Sequence, residues 1–304
     1  MKAKIILNPY AGRWSASKRR PEAESALNAA GVDYELVISE YPGHSIELAA
    51  QAVADGYNSI IAAGGDSTYN ETVNGILQAS REGTVKTTFG ILPMGTANDL
   101  ADNLGISKKL INAAQIIATG HTRNIDVCQV NGRYFLNNSA VGLETAITVK
   151  QSKMKHVKGI GRYLLATLIV IYRNPQWQME LKWDHGHYDG LVTMVSVGNN
   201  PRTGGIFYSV PNADPFDGKL SFVYGSIPTR LEILQTLPKI MKSGQGNYTE
   251  HPDVHEEHST WLDIHTQPIT PVHADGEVFD YSTQDIAYRI SPGRVPILVP
   301  VQEA

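Results

Sequence analysis

The chain of 304 residues contains a single cysteine, Cys128. It can form no intrachain disulfide, which excludes the disulfide-stapled secreted scaffolds and makes a reducing compartment the natural one. Cys128 lies in an apolar, strand-like run, a setting for packing rather than for a reactive thiol. Long hydrophobic runs are missing as well. The longest, Tyr163 to Tyr172, covers ten residues between Arg162 and Arg173, against the roughly 20 that a bilayer-spanning helix needs. Met1-Lys2-Ala3-Lys4 leads straight into a strand pattern and lacks a signal-peptide signature. There is no basic excess: 26 Lys and Arg against 30 Asp and Glu leave a net charge of −4, which is no footprint of a dedicated nucleic-acid binder. No transmembrane segment and no nucleic-acid partner are therefore expected, and the expected compartment is cytoplasmic.

What is present begins with alternation. Ala3–Leu7, Tyr34–Ile38, Ser59–Ala63 and Thr88–Leu92 read as strands, while Lys18–Ala30, Ser45–Ala54, Thr68–Leu77 and Ala97 to about Thr119 read as helices. This pattern predicts an α/β domain with a mainly parallel sheet. Ligands bind such sheets outside the carboxyl ends of the strands, where three loops gather: Asn8–Gly12, Gly64–Thr68 and Pro93–Asp99. Beyond about residue 125, short β-like runs separated by turns such as Asn131-Gly132 and Asp217-Gly218 predict an antiparallel β-sandwich or barrel-like domain. Helical patterns over Thr145–Tyr172, broken at Gly159–Gly161, and over Pro228–Met241 interrupt it. The expected domains are residues 1–124 and 125–304. A cleft between domains is a usual place for a two-substrate site.

The segment Ile60 to Glu71 reads as a buried strand, a glycine turn with one carboxylate, and a helix start. Gly64 and Gly65 permit positive φ or close ligand approach, and Thr68–Glu71 fits a capping box. A glycine turn feeding a helix N-terminus favours phosphate through free N–H groups and the positive end of the helix dipole. The same residues also suit an ordinary βα turn.

Further motifs decide between these readings. Gly64-Gly65-Asp66-Ser67-Thr68-Tyr69-Asn70-Glu71-Thr72-Val73-Asn74-Gly75 resembles the GGDGTxNEVxNG signature of the diacylglycerol-kinase catalytic domain. Leu92–Ala101 resembles that family's LPxGTxNDFA segment, Asn8–Gly12 its NPxSG, Asp214–Leu220 its DPxDGxL and Asp275–Glu277 its DGE. Five motifs in family order span nearly the whole chain. The resemblance implies a nucleotide-binding α/β domain followed by a β-sandwich, and an ATP-dependent kinase of the stand-alone bacterial lipid-kinase type that uses Mg²⁺. It implies a nucleotide site over Gly64, Gly65, Asp66, Ser67, Thr68, Tyr69 and Asn70, with Gly95, Thr96 and Ser39. Asp66 resembles the family carboxylate that organises metal and water near the phosphates. The family's structural Mg²⁺ site corresponds to Asp217 through its side chain and to Asp214 and Lys219 through backbone oxygens. The general base belongs to Asp275 or Glu277, which the sequence does not separate. Asp217-Gly218 and Asp275-Gly276 also suit plain hairpin turns, and Asn98 and Asp99 suit helix caps.

The implied acceptor is a lipid hydroxyl met peripherally at a membrane surface, with diacylglycerol the default; a homodimer is left open. Ser67 stands where the family has glycine. A positive φ there would strain serine by roughly 1–3 kcal/mol, which motivates an alternative, a lipid- or nucleotide-binding protein weak in catalysis. A related NAD or sugar kinase is a second alternative. Lys150, Lys153, Lys155, Lys158 and Arg162 form a basic run suited to anionic head groups or to a solvated face. Leu164, Leu165, Leu168, Ile169 and Ile171 are expected in the core or a lipid-pocket wall, and His251, His255 and His258 in a mobile loop rather than a metal site.

Overall fold

The computed structural model describes residues 2–80, 85–154, 160–173 and 175–301. Contacts divide the chain into two compact units, Met1–Val127 with Ser291–Ala304, and Cys128–Ile290. The first unit holds strands β1 (Ala3–Leu7), β2 (Tyr34–Ile38), β3 (Ser59–Gly64) and β4 (Thr88–Pro93) in a parallel sheet of order β4-β3-β1-β2. Every residue of β1 and β3 is buried. That is the signature of a parallel sheet covered on both faces, and it explains the apolar runs Ile5-Ile6-Leu7 and Ile60–Ala63; the buried Lys4 ammonium is paired with Glu35 at 2.6 Å. The covering helices are α1 (Ser15–Ala29), α2 (His44–Ala54), α3 (Asp66–Ala79), α4 (Asp99–Asn103) and α5 (Leu110–Thr119). A Cβ on Gly75 would fall 2.3 Å from the Ile46 carbonyl oxygen, so the last glycine of the long motif lets α3 pack directly on α2.

The second unit is antiparallel and β-rich. It contains β5 (Thr122–Val130, which enters from the first unit), β6 (Arg133–Phe135), β7 (Asn138–Gly142), α6 (Leu143–Ser152), α7 (Ile160–Arg173), β8 (Trp177–Trp183), β9 (Gly186–Val192), β10 (Met194–Gly198), β11 (Leu220–Gly225), α8 (Arg230–Thr236), β12 (Val254–Ser259), β13 (Trp261–Ala274) and β14 (Glu277–Leu298). Its strand order is β12-β11-β10-β7-β13-β14, with the β8–β9 hairpin paired to β13. Two apolar clusters fill it. One gathers Trp183, Phe222, Tyr224 and Tyr288 among the strands. The other packs Leu143, Ile147, Val170 and Ile233 of the three helices with Val210, Val223 and Tyr248.

Several boundaries differ from the sequence expectation. Residues Ser291–Ala304 group with the first unit, not with 125–304: β14 runs on until Ile297 pairs in parallel with Phe89 of β4. A strand carries no compositional mark of the sheet it will join. The helical pattern Ala97–Thr119 is split into α4 and α5, with Gly105 at φ 70 between them. Helix α3 begins two residues earlier than Thr68, so the expected Thr68–Glu71 capping box does not form. Glu71 instead accepts the Gly43 N–H at 2.9 Å. A capping box does form on α8, between Thr229 and Glu232. His255 and His258 lie in strand β12, not in a loop, and His258 Nδ1 is 2.8 Å from Ser221 Oγ.

On α7, Ala166, Val170 and Ile171 face the core, whereas Leu164, Leu165 and Leu168 are exposed, contrary to expectation. A ten-residue apolar run wraps all faces of a helix, and only packing chooses which face is covered. Lys155, Lys158 and the expected helix break at Gly159 lie outside the described residues. No helix among the described residues is long and apolar enough to cross a membrane.

Candidate functional site

At the carboxyl edge of the parallel sheet the three N-terminal motifs meet. Asn8, just after β1, donates its Nδ2 to Thr68 Oγ1 at 3.0 Å. The Met94 N–H donates to the Gly64 carbonyl at 2.7 Å. Tyr69 is 1 % exposed, and its hydroxyl lies 2.9 Å from the Gly64 carbonyl and 3.0 Å from Asn98 Oδ1. Asn98 also accepts the Gly95 N–H at 2.9 Å and donates to the Gly95 carbonyl at 3.1 Å. The loops touch through glycine: a Cβ on Gly95 would sit 2.4 Å from Gly65 Cα. Gly65 itself has φ −119, so this glycine is required by close approach rather than by a left-handed backbone.

Two helix N-termini, of α3 and α4, open onto this contact. The first N–H groups of a helix have no intrahelical acceptor, and no side chain caps α3. The first turn of α3 thus has the backbone geometry that suits an anion, while α4 is a single short turn. Asp66 accepts the Leu100 N–H at 3.1 Å and so ties the start of α4 to the first turn of α3.

The expected nucleotide residues divide by exposure. Gly65, Asp66, Gly95 and the exposed Ser67 and Thr96 are open to a ligand, while Ser39, Gly64, Thr68, Tyr69 and Asn70 are buried. Thr68 holds Asn8, and Asn70 accepts from Asn74 Nδ2, so these side chains position the loop. Burial, with the charges of Asp66 and Asp102, raises the Tyr69 hydroxyl well above the usual tyrosine range, so it stays a neutral donor. Ser67 occupies the first turn of α3 and is absent from the left-handed residues. The strain that would have argued against activity is not there.

In the second unit Asp275 and Gly276 form a two-residue hairpin between β13 and β14, with φ 47 and 80. Both central residues have positive φ, the geometry for which Asp-Gly is selected. Asp275 Oδ1 accepts the N–H groups of Asn137 (2.8 Å) and Asn138 (3.0 Å), and Oδ2 that of Leu136 (3.0 Å). A carboxylate ringed by three amides fastens one strand end to another. Glu277 differs: its side chain is 42 % exposed and takes Arg133 Nη2 at 2.7 Å. The structure thus separates two residues that the sequence left equivalent.

Asp214, Asp217 and Lys219 share one loop before β11. Asp214 Oδ1 accepts the Phe216 N–H at 3.0 Å and Asp217 Oδ1 the Lys219 N–H at 2.8 Å, each forming an Asx turn. Both aspartates are exposed. Among the described residues no group of three or more His, Cys, Asp or Glu is placed to hold a metal; a set of one carboxylate and two carbonyls would not form such a group.

The second unit also contains a cavity that no sequence motif announced. Its volume is about 60 Å³, and its walls include Leu143, Ile147, Phe207, Ile233, Leu237 and Ile240. One carboxylate lines it, Glu144 on the first turn of α6. Burial pushes the Glu144 carboxyl up, but His273, Ser196 and Asn138 outweigh it, and the net shift is downward, toward the carboxylate. The only signal in the sequence was an acid in the first turn of a mostly apolar segment.

Comparison with known proteins places this architecture. The family described as the diacylglycerol kinase catalytic domain matches residues 2–130, and the YegS C-terminal NAD kinase beta sandwich-like domain matches residues 138–299. The chain belongs to the family in which a diacylglycerol kinase catalytic domain is followed by a YegS-like C-terminal domain, the latter matching more than half of it. It is 28 % identical over 279 residues to a diacylglycerol kinase of Staphylococcus aureus (strain MRSA252), covering 91 % of this chain and 86 % of that one. It is 26 % identical over 277 residues to the diacylglycerol kinase of Staphylococcus saprophyticus, covering 91 % and 88 %. A solved structure of a diacylglycerol kinase from Bacillus anthracis superposes with a TM-score of 0.76 at 23 % identity, over 98 % of this chain and 97 % of that one, and shows the shared fold. Kinases of this catalytic family are ATP-dependent, and the family is one of lipid kinases.

Proposed function

We propose that this protein is an ATP- and Mg²⁺-dependent lipid kinase that transfers the γ-phosphoryl group to a lipid hydroxyl, with diacylglycerol the default acceptor, as the names of its relatives suggest. The observation that carries the lipid part of this reading is the cavity of the second unit, whose walls are mostly apolar. A sugar phosphate or a dinucleotide would call for a wall of polar groups, whereas an acyl chain calls for an apolar one.

The roles follow from what each group can do. The amides at the α3 and α4 starts, with the Thr96 hydroxyl, bind phosphate oxygens. Phosphoryl transfer needs such positioning and charge neutralisation more than covalent chemistry. Glu277, partly exposed, accepts the proton of the lipid hydroxyl as the phosphate arrives, and Arg133 orients it. Asp275 holds the turn that presents Glu277. Asp217, with backbone oxygens of Asp214 and Lys219, is a donor set of the hard-oxygen type that Mg²⁺ takes, and Asp66 would hold the ion that accompanies the phosphates. Mg²⁺ supplies neutralisation of the phosphate charge. Leu164, Leu165, Leu168 and Tyr172 expose an apolar face on α7 beside Arg173, a surface suited to peripheral contact with an anionic membrane.

The test is phosphoryl transfer from labelled ATP to a panel of lipids presented in mixed micelles. Transfer to a lipid hydroxyl is expected. Transfer to NAD or a sugar phosphate, or ATP binding with no transfer to any lipid, would overturn the reading.

A further inference from the structure

Asn138, the first residue of β7, is 2 % exposed and is bonded through its backbone and its side chain alike. Its N–H donates to Asp275 Oδ1 at 3.0 Å, and its carbonyl accepts the Asp275 N–H at 2.7 Å. Its side-chain Nδ2 donates to Glu144 Oε1 at 3.1 Å, and Oδ1 accepts from Thr203 Oγ1 at 2.9 Å. An ionised carboxylate only accepts, so the amide nitrogen faces Glu144 and the amide oxygen faces Thr203. Aspartate would offer only the acceptor half, and leucine neither. Glu144 is held in turn: Ser196 Oγ donates to Oε2 at 2.6 Å, and His273 Nε2 stands 3.4 Å from Oε1. Its side chain keeps 17 % exposure, and a carboxylate so far out of water is costly unless it is paired. His273 lies on β13, opposite Ala140 of β7 and two residues before Asp275. Glu144 therefore contacts both β7 and β13 close to the Asp275-Gly276 turn. Two carboxylates grip Asn138, Glu144 by its side chain and Asp275 by its backbone, and Glu277 follows Asp275 by two positions.

We propose that Asn138 is a positioning residue for Glu277. Clamped by Glu144 and Thr203, it fixes the Asp275 turn and with it the place of the Glu277 carboxylate. The proposal deepens the lipid-kinase reading and rests on Glu277 as the base. A group that takes a proton as the phosphate arrives works only within hydrogen-bond reach, and a misplacement of about 1 Å can cost about 10²-fold in rate. Arg133 holds the head of Glu277; the Asn138 clamp acts on the turn that carries it. A buried carboxylate is a poor source of stability, since apolar residues of similar volume hold two strands together as well or better. What Glu144 supplies is directional bonding, to the one residue whose backbone Asp275 grips in both directions.

The clamp can be broken and rebuilt with two substitutions. Asn138→Asp keeps the acceptor for Thr203 but sets a second carboxylate against Glu144, two like charges in a buried site. Adding Glu144→Gln restores a donor, because the glutamine nitrogen can donate to the new carboxylate while its oxygen still accepts from Ser196. Phosphoryl transfer to diacylglycerol in mixed micelles, or to the panel lipid that is phosphorylated fastest, gives kcat and the KM for ATP. Hydrogen exchange at the amides of Leu136, Asn137, Asn138 and Asp275, without ATP or lipid, gives the hold on the turn. Asn138→Asp should lower kcat by about 10- to 100-fold, leave the KM for ATP unchanged and speed exchange. The pair of substitutions should bring kcat and exchange back to within about threefold of wild type. In a Glu277→Gln background, Asn138→Asp should change the residual kcat by less than about twofold, because the group it positions is gone; a merely structural role would lower kcat by the same factor in both backgrounds. A wild-type kcat in Asn138→Asp, no recovery in the pair, or equal losses in the two backgrounds would overturn the proposal. Should Asn138→Asp fail to fold, Thr203→Val decides: it should lower kcat by about threefold and speed exchange at the turn, and no change in either overturns the proposal. If the wild type phosphorylates no lipid while exchange is still loosened by Asn138→Asp and restored by the pair, the clamp stands and the kinase reading falls.

Discussion

In the first unit the candidate site is made of backbone, and in the second it is made of side chains. Around Gly65 and Gly95 two glycine loops meet backbone to backbone, and the buried side chains of Asn8, Tyr69 and Asn98 hold them in place. Around Asp275 the pattern reverses: three amides hold one carboxylate, and the neighbouring Glu277 is left partly exposed. In the first unit the side-chain oxygens of Asn98 and Asp66 each take one backbone amide, whereas in the second a single carboxylate takes three. An Asp-Gly pair is consequently no guide to catalysis until its acceptors are traced.

The strongest way to break this contrast is at Glu277. Glu277→Gln should lower kcat by about 10²- to 10⁴-fold, the range for loss of a general base, and leave ATP affinity intact by equilibrium binding; an unchanged kcat would move the base elsewhere. Next is the glycine contact. Gly95→Ala places a Cβ against Gly65 Cα, where only backbone could give way. It should weaken ATP binding at least tenfold and cost about 1–3 kcal/mol in urea unfolding, as overpacking does. Normal ATP affinity in that variant would show that the two loops need not touch.

Asp275→Asn tests the scaffold role. Asparagine tolerates the left-handed backbone of the turn, so the change isolates the loss of charge-assisted bonds. A stability loss of about 1.5–3 kcal/mol is expected, against a smaller fall in kcat than at Glu277; the opposite ranking would exchange their roles. A weaker effect should appear on acidification. The Glu144 carboxyl is depressed below its ordinary range, so it contributes stability above that range and loses it as pH falls through and below it. The melting temperatures of wild type and Glu144→Gln should converge in acid, and a constant gap would contradict the shift. The smallest effect belongs to Ser67→Gly. With serine already helical and exposed, activity should stay within about twofold and stability fall by less than about 1 kcal/mol; a large loss of activity would make the hydroxyl a phosphate ligand.

These expectations show where the sequence was informative. The strands Ala3–Leu7 and Tyr34–Ile38 are found at the bounds that the sequence implies, the first fully buried and the second, at the sheet edge, only half-buried. The strand, glycine turn and helix start around Gly64 were legible because they are consecutive in the chain. The capping box at Thr68–Glu71 misled because Gly65 starts the helix without a side-chain cap. Exposed Leu164, Leu165 and Leu168 misled because hydropathy does not specify which face of a helix is covered.

By itself the sequence determined the family and the α/β-then-β order, since each depends on neighbours along the chain. Tertiary structure alone decided that Ser291–Ala304 group with the first unit, that Asp275 accepts three backbone amides while Glu277 pairs with Arg133, and that Glu144, Thr203, Ser209 and Tyr248 line one cavity. Those facts arise from pairings between residues tens to more than a hundred positions apart. No local pattern encodes such pairings; they exist only once the strands have chosen their partners.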